Sequence, residues 1–142
     1  MTPGELFKIW FVEIWNRHEP DRMHEFMAAD ARLYPAGGEP VQGPEGFRPF
    51  VEEVIAAFPD ITFSVEHVIE AGDVAAGRWI ATLTHHGEYM GAKATRRQVK
   101  IEGLAIIRCE DGKIVEAWDQ WDRLGLLTKI GAMVPAREQL AS

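Results

Sequence analysis

Apolar positions in the first sixty residues recur at helical spacing, and after Asp60 the period changes to two. Leu6, Ile9, Trp10 and Ile14 trace one stripe, and Phe7, Phe11 and Trp15 widen it until little of the helix can face water. Such a helix needs a concave partner that covers it on several sides. Its start is set by Thr2-Pro3-Gly4-Glu5, a capping box with proline at the first helical position. Asn16 to Pro20 breaks it, and Met23, Phe26 and Met27 predict a short second helix over Asp21 to Ala28. ARLYP (31–35) predicts a brief strand. The stretch Ala36 to Gly46, rich in glycine and proline, predicts a loop. A helix to Phe58 follows, with Pro44 and Pro49 in its first turns, where missing N–H groups cost least.

Beyond Asp60, Ile61, Phe63, Val65 and His67 alternate with Thr62, Ser64 and Glu66. A turn at Gly72-Asp73 leads to a long strand from Val74 to about His86. A loop and a strand over Val99 to Arg108 come next. Asp111-Gly112 turns the chain into a last strand, Ile114 to Trp121. A short helix through Leu124, Leu126, Leu127 and Ile130 then ends at Gly131. Helices followed by a meander of antiparallel strands predict an α+β fold. The 142 residues are expected to form one domain, 1–142.

The last strand carries the candidate chemistry in EAWDQWD (116–122). With a three-residue loop, Glu110-Asp111-Gly112, the hairpin pairs Ile107 with Val115, Ala105 with Ala117, Gly103 with Asp119 and Ile101 with Trp121. A two-residue turn would mix apolar and charged residues on both faces, so pattern favours the longer loop. In that register Asp119 points into the buried face among small residues. Burial would raise its pKa and make it a better base; the alternative role is a buried acceptor that serves packing alone. Asp122 falls on the opposite face just before a helical run and reads as its N-cap. The outer face gathers Leu104, Ile106 and Trp118 inside a rim of Glu102, Glu116 and Gln120, the composition of a homodimer interface.

Charge and composition exclude more than they assign. A net charge of −7 without a basic block argues against nucleic acid or an anionic membrane as partner. Cys109, the single cysteine, rules out an intrachain disulfide, and no metal-binding motif is present. Without a signal-peptide pattern near Met1 or a run of apolar residues long enough to span a bilayer, a cytoplasmic protein is expected.

Four stretches in order, EIWN (13–16), AAFPDI (56–61), THHGEYMG (84–91) and DGKIVEAWDQWDRLGLL (111–127), resemble the SnoaL-like polyketide cyclases, a branch of the nuclear-transport-factor-2-like superfamily. The resemblance implies a curved antiparallel sheet wrapped around the N-terminal helices, a cone with one internal pocket. It also implies a cofactor-free enzyme in which an aspartate of the last strand, here Asp119, is acid/base in an intramolecular aldol ring closure. In several relatives a histidine precedes that aspartate by two residues, and this chain has Ala117 there. His85 or His86 could stand in, with a solvated rim position as the alternative. Trp15, Asn16, Tyr34 and Trp121 are the candidate pocket residues, Trp15 reading first as core. Arg78 beside Asp119 would supply part of a limonene-type epoxide hydrolase site. A third possibility is a module that binds a small molecule without turning it over.

Overall fold

The computed structural model describes residues 1–133. Helix α1 (Pro3–Trp10) begins with the expected capping box: Thr2 accepts from the Glu5 N–H and Glu5 caps the Thr2 N–H. It runs on as a π-helical segment, Phe11–Asn16. A 3₁₀ helix (Pro20–Glu25) follows, then strands β1 (Met27–Tyr34) and β2 (Val41–Gln42) and helix α2 (Gly43–Ala57). Strands β3 (Thr62–Ala71), β4 (Val74–Thr84), β5 (Gln98–Glu110) and β6 (Lys113–Trp121) lead to helix α3 (Arg123–Lys129). The strands form one sheet in the order β2-β1-β6-β5-β4-β3. All neighbours are antiparallel except β1 and β6, which run parallel.

Two predicted elements change. The second helix is only a 3₁₀ turn, and the chain is extended from Met27, where a helix to Ala28 was expected. Met27, Ala31 and Leu33 are buried with strand parity, so pairing with β6 overrides the local helical spacing. The expected loop before α2 contains β2, which pairs with β1.

The last hairpin also differs. Its loop has two residues, Asp111 (φ 51°) and Gly112 (φ 75°), the left-handed pair that a type I′ turn needs. Glu110 pairs with Lys113 and Cys109 with Ile114. A bulge then shifts the register by one residue, so Ala105, and not Gly103, faces Asp119, while Gly103 faces Trp121. The bulge restores the parity that a plain two-residue loop would have broken. Asp119 therefore still points to the inner face, as the pattern required.

That inner face is the core. On β4 the buried residues are Ala75, Trp79, Ala81 and Leu83, and on β5 Val99, Ile101, Ala105, Ile107 and Cys109. The first helix lies against them with Leu6, Phe7 and Ile14 almost fully buried. No helix among the described residues is long and apolar enough to cross a membrane.

Candidate functional site

The inner face is not filled completely. A cavity of about 290 Å³ opens between the sheet and the first two helices. Its wall is aromatic and interlocked: Trp15 lies 5.1 Å from Phe63, Phe63 meets Trp79 edge to face at 5.2 Å, and Phe11 sits 5.2 Å from Phe63. Such a wall suits flat, apolar ring systems.

Asp119 is set into this wall. Its strand neighbours on the inner face are Ala117 and Trp121, and Ala105 lies opposite on β5. Small side chains on two sides leave the carboxylate open to the cavity. Burial raises its pKa from 3.8 to about 6, opposed by N–H donors from the Trp79 indole and the Gln120 backbone. The Trp79 Nε1–H donates to Oδ1 at 3.3 Å. A carboxyl poised there, in an apolar hollow with a single side-chain donor, can take and return a proton near neutral pH.

Trp15, Tyr34 and Trp121 line the same cavity as Asp119. Four other expected residues do not reach it. His85 is fully buried, but its ring is held outside the cavity. The Thr95 N–H donates to its Nδ1 at 3.2 Å, the Thr95 hydroxyl lies 3.0 Å from the same nitrogen, and Phe58 packs 5.8 Å away. Its backbone pairs with Arg96 and Arg97, so His85 anchors the segment between β4 and β5. His86 is on the surface, with Nδ1 3.0 Å from a guanidinium nitrogen of Arg96.

Asn16 spends both ends of its amide on one residue. Nδ2 donates to the Phe63 carbonyl at 2.9 Å, and the Phe63 N–H donates to Oδ1 at 2.7 Å. It ties the π-helical segment to β3. Arg78 points to the outer face, where it pairs with Glu102. Strand parity explains this: Gly77 and Trp79 face inward, so Arg78 cannot. An arginine beside Asp119, as the epoxide hydrolase reading needed, is therefore not supplied by Arg78.

Asp122 does cap α3, accepting from the Gly125 N–H at 2.8 Å. The structure adds residues that sequence reasoning missed. Trp79 is the donor to Asp119, and its inward parity on β4 was a usable signal. Tyr89, Arg123 and Glu53 also line the cavity. They come from a loop, a helix start and an exposed helix face, so no periodicity marks them. Among the described residues no group of three or more His, Cys, Asp or Glu is placed to hold a metal ion.

Comparison with known proteins bears on this site. A family profile described as SnoaL-like polyketide cyclase matches residues 6–130. Aklanonic acid methyl ester cyclase DauD of Streptomyces sp. (strain C5) is 32% identical over 135 residues, covering 89% of this chain and 81% of the relative. The crystal structure of IdmH, a candidate polyketide cyclase from Streptomyces antibioticus, superposes with a TM-score of 0.83 at 29% identity, over 92% of this chain and 99% of that one. AclR, a candidate hydroxylase from Streptomyces galilaeus, gives 0.81 at 27% identity, over 92% and 97%. The α+β architecture is thus the nuclear-transport-factor-2-like one, with N-terminal helices over a mixed, mostly antiparallel sheet.

Proposed function

The chain belongs to the SnoaL-like polyketide cyclase family, and on that premise we propose that it closes a ring in a small aromatic or polyketide-like molecule without a cofactor. The observation that carries this reading is Asp119: a carboxyl with its pKa raised to about 6, in a cavity walled by aromatic rings. The ionised carboxylate takes a proton from a carbon activated by neighbouring carbonyls. The resulting enolate carbon attacks a second carbonyl of the same molecule and forms the new C–C bond. Protonated Asp119 then delivers the proton to the alkoxide, which becomes the aldol hydroxyl. Atoms and charge balance over the cycle, and Asp119 is regenerated. A positioned acid/base of this kind contributes a rate factor of about 10²–10⁴. The decisive test is turnover by Asp119→Asn, argued in the Discussion.

One observation favours a second reading, a small-molecule-binding module that performs no reaction. Ala117 lines the cavity where some relatives are expected to carry histidine, leaving Asp119 with Trp79 as its only side-chain hydrogen-bond partner among the described residues. The same Asp119→Asn experiment separates the two readings.

The assembly we propose is a homodimer through the outer sheet face. Leu104, Ile106 and Trp118 are 62%, 44% and 38% exposed there, an apolar patch in the middle of a charged sheet. Tyr34 stacks on Trp118 at 5.6 Å and 12°, which stiffens the edge of the patch.

A further inference from the structure

We propose that the mouth of the cavity is a recognition edge for an ionised oxygen. Its ligand would be a largely apolar, ring-bearing molecule whose free carboxylate is held by Arg123, with the Tyr89 hydroxyl beside it. The inference rests on the cavity being the ligand site, as proposed above, but not on Asp119 performing chemistry.

Arg123 is the only cation among the described residues that line the cavity. It is the first residue of α3, so the Asp122 cap fixes the turn from which its side chain leaves. Its guanidinium lies against Gly37, in the loop after β1 that also lines the cavity. Gly37 has φ +68°, and a Cβ there would overlap Nη1, so the close approach needs glycine. Among the described residues no carboxylate forms an ion pair with Arg123.

Tyr89 reaches the same edge from a tight turn. Its N–H donates to the Ala92 carbonyl at 3.0 Å and the Ala92 N–H donates back at 2.9 Å, around left-handed Met90 and Gly91. The ring packs 5.0 Å from Phe58 and is only 5% exposed, in a wall of the cavity. Burial and the Glu53 carboxylate push the Tyr89 phenol above its usual pKa, while Arg123 pulls it down. Both charges are therefore close enough to act on this hydroxyl. The charged edge comes from the start of α3 and the segment after β4, and the acid from β6, all lining one cavity.

A ligand spanning that space needs a ring body in the middle and its anionic oxygen away from Asp119, whose own charge would repel it. A carboxylate suits a guanidinium better than a neutral ester, because the charged bonds are stronger and can be bidentate. Glu53 also acts on the Tyr89 hydroxyl and opposes an anion there, but it is exposed and screened by water, whereas Arg123 can bond the carboxylate directly.

Binding can be read from quenching of the tryptophans in the cavity wall, Trp10, Trp15, Trp79, Trp118 and Trp121. The probes are 1-hydroxy-2-naphthoate and its methyl ester, identical in ring body and different in charge. The wild type is expected to prefer the acid by about tenfold or more, the scale of one charge-assisted hydrogen bond. Arg123→Gln should abolish the preference while ester affinity stays within about twofold, which also shows that the variant is folded. Tyr89→Phe should weaken the acid several-fold and the ester little. Equal affinity for acid and ester in the wild type overturns the proposal, as does a preference that survives Arg123→Gln, or no binding of either probe. None of these outcomes depends on turnover, so an inactive or dispensable Asp119 leaves the result intact.

Discussion

The Trp79 indole crosses an entire strand to reach Asp119. Trp79 is on β4 and Asp119 on β6, with β5 between them. The indole can lie across β5 because its partner there is Gly103: a Cβ at that position would overlap the ring. Nε1 then arrives 3.3 Å from Oδ1. The glycine that the sequence reading placed opposite Asp119 thus serves the carboxylate indirectly, by making room for its donor.

Gly103→Ala is therefore expected to act on both stability and the acid. The methyl group would press on the indole and on the Gln120 carbonyl, and overpacking of this kind costs roughly 1–3 kcal/mol. With Trp79 displaced, the Asp119 pKa should rise further, because the donor that opposes burial is lost. Trp79→Phe should raise the pKa in the same direction without the clash. Urea unfolding measures the first effect, and carboxyl titration by NMR measures the second. An unchanged Asp119 pKa in both variants would show that the bond contributes nothing.

Asp119 also predicts a pH dependence of stability. Its folded pKa, about 6, lies above the ordinary 3.8, so between those values the folded state holds more protons than the unfolded one. Stability from this group is fully present below about pH 4, falls as pH rises, and is lost above about pH 6. The full difference is on the order of 3 kcal/mol. Asp119→Asn should remove that slope, so the gain in stability of variant over wild type grows between pH 4 and pH 7. Parallel unfolding curves at several pH values check it, and a constant difference would contradict it.

Asp122→Ala should lower stability by about 0.5–2 kcal/mol, the usual loss for an N-cap. Its acceptor bond to the Gly125 N–H would vanish, while the cavity wall is untouched on the Asp119 side. Denaturation midpoint and affinity for the naphthoate methyl ester, whose binding does not use Arg123, should be measured together. An affinity loss larger than the stability loss would place Asp122 within the binding site and not merely at a helix end.

How much of this was legible in the sequence depended on whether one face decided the matter. Asp119 inward, Asp122 as cap and the over-apolar first helix all follow from period and capping chemistry, and the structure agrees with each. Arg78 was equally legible by parity: with Gly77 and Trp79 inward it faces out, where it pairs with Glu102. The hairpin register could not be read from pattern alone, because a type I′ turn and a bulge together mimic the parity of a longer loop. His85 has inward parity too, but it lies past the end of β4, where the Thr95 segment covers it. Tyr89 and Arg123 come to one cavity only through tertiary folding, and no spacing in the chain announces them.

The outer face supplies a prediction about assembly. Ile106 is 44% exposed beside Trp118, its partner on β6. Ile106→Glu would place two like charges near each other across a twofold interface and bury both at a cost. Sedimentation velocity should show the wild type as a dimer and this variant as monomer. A wild type that is monomeric, or a dimer indifferent to the charge, would remove this face from consideration.

The most direct test of the proposed chemistry is Asp119→Asn. The amide oxygen can still accept from Trp79, and the side chain keeps its shape, so only the proton-accepting capacity goes. If Asp119 is the acid/base, turnover should fall by about 10²–10⁴ while affinity for aromatic ligands changes only a few-fold. The protein should also be no less stable at neutral pH, since a desolvated charge has been removed. A purely structural aspartate predicts the opposite pattern: a lower melting temperature, with any activity persisting in the folded fraction. In the wild type, turnover should rise through pH 6 as the carboxylate ionises and then level off. Polyketide-like β-dicarbonyl compounds that can cyclise are the substrates to try, followed by product absorbance. Full activity in the Asn variant would end the assignment of Asp119 as acid/base, whereas no turnover by the wild type on any such substrate would leave the cavity as a binding site alone.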